Sequence, residues 1–218
     1  KIKVSGLKTD TLLSYRVWFT VENPESPGKF PALRGKFRTA PSGMAAQAVS
    51  FAWSGDVAGQ NVCRDADEGF PVFKAINSLP IDFFIGLGDM IYADNTCQET
   101  GKFGNRQIPG NFKPSATMED YWEHWKYNRE DPGYRQLLAK TPYFVIWDDH
   151  EVVNDFGPLQ DTRDKPPYIP GEHLLPLGRR AFEDYNPIEE NPDSPHRLYY
   201  NIRWGLNLEL FSSTIASI

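Results

Sequence analysis

The sequence predicts an α/β fold preceded by a short all-β segment. Two observations carry this. From Ala48 onward, apolar strand-like runs alternate with helical periodicity, the pattern of a sheet with crossover helices. Three of those runs, Phe51–Ser54, Phe83–Leu87 and Tyr143–Trp147, lead straight into acidic residues. Open α/β sheets bind ligands beyond the carboxyl ends of their strands. Asp56, then Asp89 with Tyr92, then Asp148, Asp149 and His150 are therefore expected at one sheet edge. Oxygen ligands and an imidazole gathered there suit a metal site for phosphoryl or acyl hydrolysis.

The chain before Ala48 reads as β. Tyr15–Val21 alternates and is rich in aromatic and β-branched residues, and Gly35–Thr39 is a second short strand. The turn-rich stretch Asn23–Gly28 connects them. Two or three strands cannot enclose a sandwich core. Residues 1–40 are thus expected to close a β-sandwich domain, 41–47 to form a linker, and 48–218 to begin a catalytic domain.

In that second part a strand is expected over Ala48–Trp53. A helix over Phe70–Leu79 would place Val72, Phe73, Ile76 and Leu79 on one face. The strand Ile81–Leu87 is apolar almost throughout, as befits a strand covered on both sides. A polar loop from Ala93 to Pro114 follows, long enough to suggest function. Ser115 is the candidate cap of a helix over Thr117–Tyr127. Pro132 opens a helix to Lys140. After Tyr143–Trp147 comes a second polar, Pro-rich loop to Gly171, then a helix over Gly178–Tyr185 and strands over Arg197–Trp204 and Leu206–Phe211.

The chain has 218 residues, 40% hydrophobic and 14% aromatic, with 23 Lys plus Arg against 29 Asp plus Glu, a net charge of −6. An acidic balance argues against a broad nucleic-acid-binding face. It leaves a phosphate substrate open, since bound cations invert the local field. Neither a signal peptide nor an apolar run of about 18 residues for a membrane helix is visible. Cys63 and Cys97 each lie in a loop just after an acidic strand end. A single disulfide and two free thiols fit the sequence equally.

Each candidate is weak alone. Taken alone, Gly88-Asp89 reads more readily as a turn and Tyr92 as a core residue, and Asp56 as a turn aspartate. Four ionisable side chains from Asp148 to Glu151 are costly after an apolar strand unless paired with cations, water or one another. His150-Glu151-Val152-Val153-Asn154 lacks the second histidine of zinc peptidases. His124 lies among aromatic residues as a packing or surface residue, while His173 and His196 sit in Pro-rich loops. The recurrence of acids at the same place in three strand-loop units outweighs any one of them.

Gly88-Asp89-Met90-Ile91-Tyr92, Trp147-Asp148-Asp149-His150-Glu151-Val152 and Phe51–Asp56 together resemble the PhoD-like alkaline phosphatase family, within the metallophosphoesterases and similar at its metal site to purple acid phosphatases. Phe37-Arg38-Thr39-Ala40-Pro41 resembles the end of that family's β-sandwich domain. The likeness extends to about Phe211. It implies a partial metallophosphoesterase-like α/β domain and hydrolysis of small phosphate mono- and diesters by a metal-bound hydroxide. It further implies Fe³⁺ and Ca²⁺, with other divalent metals as substitutes, and a monomer outside the cytoplasm, extracellular or periplasmic. Carried onto this chain, Asp89 bridges the metals, Tyr92 and Asp56 bind them, Asp149 binds or orients the second metal, and His150 stands beside the phosphate. Asp56 occupies a position held by cysteine in one branch of the family and by aspartate in purple acid phosphatases. Further ligands of the family lie in later Asp/His blocks, so the chain is expected to be a fragment. The alternative function is an incomplete site acting as a binding module.

Overall fold

The computed structural model describes residues 2–21, 28–29, 32–156, 168–189, 193 and 198–213. The turn expected at Asn23–Gly28 and His196 fall largely or wholly outside them.

The N-terminal part is two small antiparallel ladders. β1 (Leu12–Val17) reaches β2 (Thr20–Val21), which pairs with β3 (Gly28–Lys29), and β4 (Leu33–Arg38) returns along β1 with Tyr15 opposite Gly35. The expected single strand Tyr15–Val21 is thus broken after Val17, and Trp18 and Phe19 are exposed.

The α/β part is a parallel three-stranded sheet in the order β5–β6–β7, built from β5 (Phe51–Ser54), β6 (Phe83–Leu87) and β7 (Tyr143–Ile146). Between β5 and β6 runs α1 (Pro71–Asn77), and between β6 and β7 run α2 (Met118–Arg129) and α3 (Pro132–Lys140). α4 (Gly171–Tyr185) follows, then the antiparallel hairpin of β8 (Tyr200–Trp204) and β9 (Leu208–Ser212).

Alternation along β6 explains how the sheet is covered. Phe83 points to one face, where it meets Phe51, Phe144 and Trp204 of the C-terminal hairpin at centroid distances of 4.9, 5.4 and 4.7 Å. Phe84 points to the other, toward Phe73 of α1 and Tyr143. Phe73 in turn stacks on Tyr134 of α3 at 4.2 Å. Both β6 phenylalanines are fully buried, as expected of a strand covered on two sides. The β1–β4 hairpin rests on α3: the Tyr15 hydroxyl donates to the Ala139 carbonyl at 3.1 Å.

Three local departures have clear causes. On α1 only Phe73 and Ile76 are buried; Val72 and Leu79 are exposed, because the helix spans barely two turns and ends at Asn77. The cap of α2 is Thr117, not Ser115. Its side chain accepts from Asp120 N while the Asp120 carboxylate accepts from Thr117 N, a reciprocal box that Ser115 lacks. α4 begins at Gly171 rather than at the expected Gly178, and it runs through Pro176. Leu174, Gly178, Ala181 and Phe182 bury one continuous stripe, and that packing outweighs the lost N–H at Pro176.

Candidate metal centre at the strand ends

The parallel register decides what meets at the sheet edge. Ser54 lies opposite Gly86, and Leu87 opposite Ile146, so the three chains leave the sheet nearly level. Asp56 and Asp89 then both adopt left-handed backbone, at φ 50° and 52°. That region costs a non-glycine residue energy and is tolerated best by Asp and Asn. Gly88, at φ 92°, passes so close to the β7 loop that a Cβ there would sit 2.6 Å from Asp148 N and Cβ. The loops are pressed together at this point.

One ligand atom from each of Asp89, Asp149 and His150 lies within 4.8 Å of the others, a group able to hold a metal ion. Tyr92 reaches the same place: its ring stacks on His150 at 3.8 Å and its hydroxyl donates to Asp56 Oδ1 at 2.9 Å. Asp56 is therefore joined to the group through Tyr92, from a solvent-exposed position. The main chain ties the loops as well. His150 N donates to Asp89 Oδ1 at 3.3 Å, Val57 N to Asp89 O at 3.1 Å, and Ala93 N to His150 O at 2.9 Å. Asp149 O caps a short turn by accepting from Val152 N and Val153 N, and its side chain accepts from Asp155 N.

The electrostatics are those of a site with too much negative charge. Burial, then the neighbouring Asp149, Asp148 and Asp56, push the Asp89 carboxyl up to about 7 against the pull of His150. Asp148 is raised by burial and by Asp149. Burial and the Asp89 charge raise the Tyr92 phenol. Burial alone lowers the pKa of His150, but the hydrogen bond and charge of Asp94, with Asp89 and Asp149, raise it overall. A cation among these groups would relieve the repulsion. The donors, hard carboxylate oxygens with an imidazole and a phenol, fit such an ion.

Two contributors were not singled out as site residues by sequence reasoning. Asp94, its side chain 6% exposed, accepts His150 Nδ1 at 2.7 Å and is itself held by Gln60 Nε2 at 2.8 Å. Its signal was proximity alone: it stands two residues beyond Tyr92. Glu151 is fully buried beneath the loops. Burial and Asp89 push its carboxyl up to about 8, opposed by hydrogen bonds from Asp148, Asp89 and Met90 N–H.

The open question of the cysteines is resolved: Cys63 and Cys97 form a disulfide, with Asn95 between them donating toward both sulfurs. It ties the loop after β5 to the loop that carries Asp94. The remaining histidines stand apart. His124 is buried against Phe112 with Nε2 3.1 Å from Lys113 O, and burial lowers it to about 4. His173 is exposed on α4. Among the described residues, no helix is long and apolar enough to cross a membrane.

A family profile described as PhoD-like phosphatase matches residues 51–212. The chain is 27% identical over 158 residues to alkaline phosphatase D of Bacillus subtilis (strain 168), a match covering 72% of this chain and 24% of that protein. A solved structure of PhoD superposes on 94% of the chain with a TM-score of 0.71 at 23% identity, covering 37% of its own length. A purple acid phosphatase from yellow lupin (Lupinus luteus) seeds superposes on 91% of the chain with a TM-score of 0.54 at 13% identity, covering 29% of its own length. The chain thus spans between 24% and 37% of the length of these relatives, and the structural likenesses establish a common fold.

Proposed function

From the premise that the chain belongs to the PhoD-like phosphatase family, we propose that it contributes to a metal-dependent phosphoric ester hydrolase acting on small phosphate mono- or diesters. The observation that carries this is the convergence of Asp89, Asp149 and His150 ligand atoms within 4.8 Å beyond adjacent parallel strands. Residues 48–218 are read as the start of the catalytic domain, 1–40 as the end of a β-sandwich and 41–47 as the linker.

Asp89, in the middle strand's loop, would hold the cations in common, together with Asp56, Tyr92 and Asp149. Cations held there would supply Lewis-acid activation of water and neutralise charge on the phosphoryl oxygens. A phenolate from Tyr92 with the Asp56 carboxylate would suit Fe³⁺, and the remaining carboxylate oxygens would suit Ca²⁺ or another divalent ion. Asp94 accepts from His150 Nδ1 and supports the doubly protonated ring, so that Nε2 carries the second N–H. That nitrogen is assigned to the phosphate, stabilising its charge or protonating the leaving oxygen. The Cys63–Cys97 disulfide supports an oxidising location, extracellular or periplasmic.

The test is metal content and p-nitrophenyl phosphate hydrolysis for the 218-residue chain, for a longer version, and for Asp89→Ala in both. The variant is expected to lose bound metal and turnover together. Full activity in Asp89→Ala overturns the bridging role. Metal and phosphate binding without turnover in the 218-residue chain would identify it as the binding module instead.

A further inference from the structure

The loops carrying the candidate ligands come from different strands, and backbone pairing ends where the strands end. Something must hold the loops level across the gap. The group placed to do so is the side chain of Glu151, 0% exposed, which belongs to neither the candidate ligand set nor the reacting groups.

Glu151 Oε2 accepts two N–H groups from two different loops: Asp89 N, beyond β6, at 3.0 Å, and Asp148 N, beyond β7, at 2.8 Å. Oε1 accepts Met90 N at 2.8 Å. One carboxylate thus bridges the chain segments that bear Asp89 and Asp149, and the link continues to the third loop through Val57 N and Asp89 O. Glu151 is itself pinned from behind. A Cβ on Gly178 would lie 2.7 Å from Glu151 O, so α4 presses directly against this turn, and the Tyr121 hydroxyl of α2 donates to Val152 O at 2.8 Å. Asp89 holds its left-handed backbone only because its surroundings over-determine it, and two of the nearest constraints are the N–H bonds of Asp89 and Met90 to Glu151.

We propose that Glu151 is a positioning residue: its carboxylate locks the β6 and β7 loops in the relative placement that brings Asp89 and Asp149 into one metal site. The inference rests on reading those residues as ligands. It requires two acceptor oxygens, which a carboxyl group keeps in either protonation state. A glutamine has one acceptor oxygen and one NH₂ group, so in either orientation at least one backbone N–H faces another donor. An aspartate keeps the charge but is one methylene too short to reach both loops.

The experiment uses the metal-free chain for amide hydrogen exchange by NMR and Mn²⁺ for calorimetric titration, with Glu151→Gln, Glu151→Asp and, as a matched buried control away from this turn, Tyr134→Phe, whose hydroxyl meets Tyr143. In Glu151→Gln, exchange at Asp89, Met90 and Asp148 is expected to accelerate at least about tenfold, with the sheet amide of Phe84 much less affected. Mn²⁺ affinity is expected to fall by about 10- to 100-fold. Tyr134→Phe should lower Tm without either change. Retained protection of the three amides in Glu151→Gln overturns the proposal, as does an equal loss of Mn²⁺ affinity in Tyr134→Phe. Should Glu151→Gln not fold, the same exchange comparison on Glu151→Asp decides. If the unsubstituted chain binds no Mn²⁺, the ligand reading fails, while the exchange result still decides whether Glu151 locks the loops.

Discussion

Metal-free chain should become less stable as the solution is made alkaline through neutrality, and bound cation should reverse the trend. Asp89 is raised from 3.8 to about 7 and Glu151 from 4.5 to about 8. A carboxyl raised in the folded state holds a proton that the unfolded chain has released, so stability falls as pH climbs from the unfolded toward the folded value. His150, also raised, acts in the same direction. His124 acts oppositely: lowered from 6.5 to about 4, it adds stability as pH rises between those values, after which its contribution is constant. The clean window therefore opens above pH 6.5. For the carboxyl pair, the loss between pH 6.5 and about 8.5 is about 2–3 kcal/mol, shared between the two because each feels the other's charge. Urea unfolding followed by the fluorescence of the six tryptophans measures it. Adding Mn²⁺ favours the ionised carboxylates and should make stability rise with pH over the same range. Metal-free stability that is flat or increasing across that window would refute the claim that these buried carboxyls resist ionisation together.

Two further outcomes are expected. Tyr92→Phe in an iron-loaded protein should abolish any phenolate-to-iron charge-transfer band, and an unchanged visible spectrum would remove Tyr92 from the ligand set. Asp94→Asn keeps the shape of the side chain but not its charge, and should lower kcat of the longer enzyme by about 10- to 100-fold with KM changed less. An unaltered kcat would reduce the Asp94–His150 bond to a structural contact.

Much of the architecture is written in local residue order. The apolar runs at Phe83–Leu87 and Tyr143–Ile146 are strands because nothing else accommodates such short, aromatic-rich segments between loops. The recurrence of an acid just beyond each strand was enough to nominate Asp56, Asp89 and Asp149, since parallel strands in one sheet must deliver their C-terminal ends to one edge. Boundaries were less legible. The last helix is expected only from Gly178, and the stripe buried by α4 shows why it starts at Gly171 and passes through Pro176. Ser115 is the expected cap, and only the folding back of Asp120 shows that Thr117 is the one used.

Sequence alone thus determined the sheet, the chain order of its strands and the identity of the acids at their tips, because periodicity and strand ends are properties of consecutive residues. Tertiary structure alone decided that Asp94, rather than another acid in its loop, meets His150, that Cys63 and Cys97 pair, and that Glu151 turns inward to join two loops. Those partners lie 56, 34 and 62 residues apart in the pairs His150–Asp94, Cys63–Cys97 and Asp89–Glu151. Contacts across such separations depend on how folded loops pack, and no local pattern of residues encodes them.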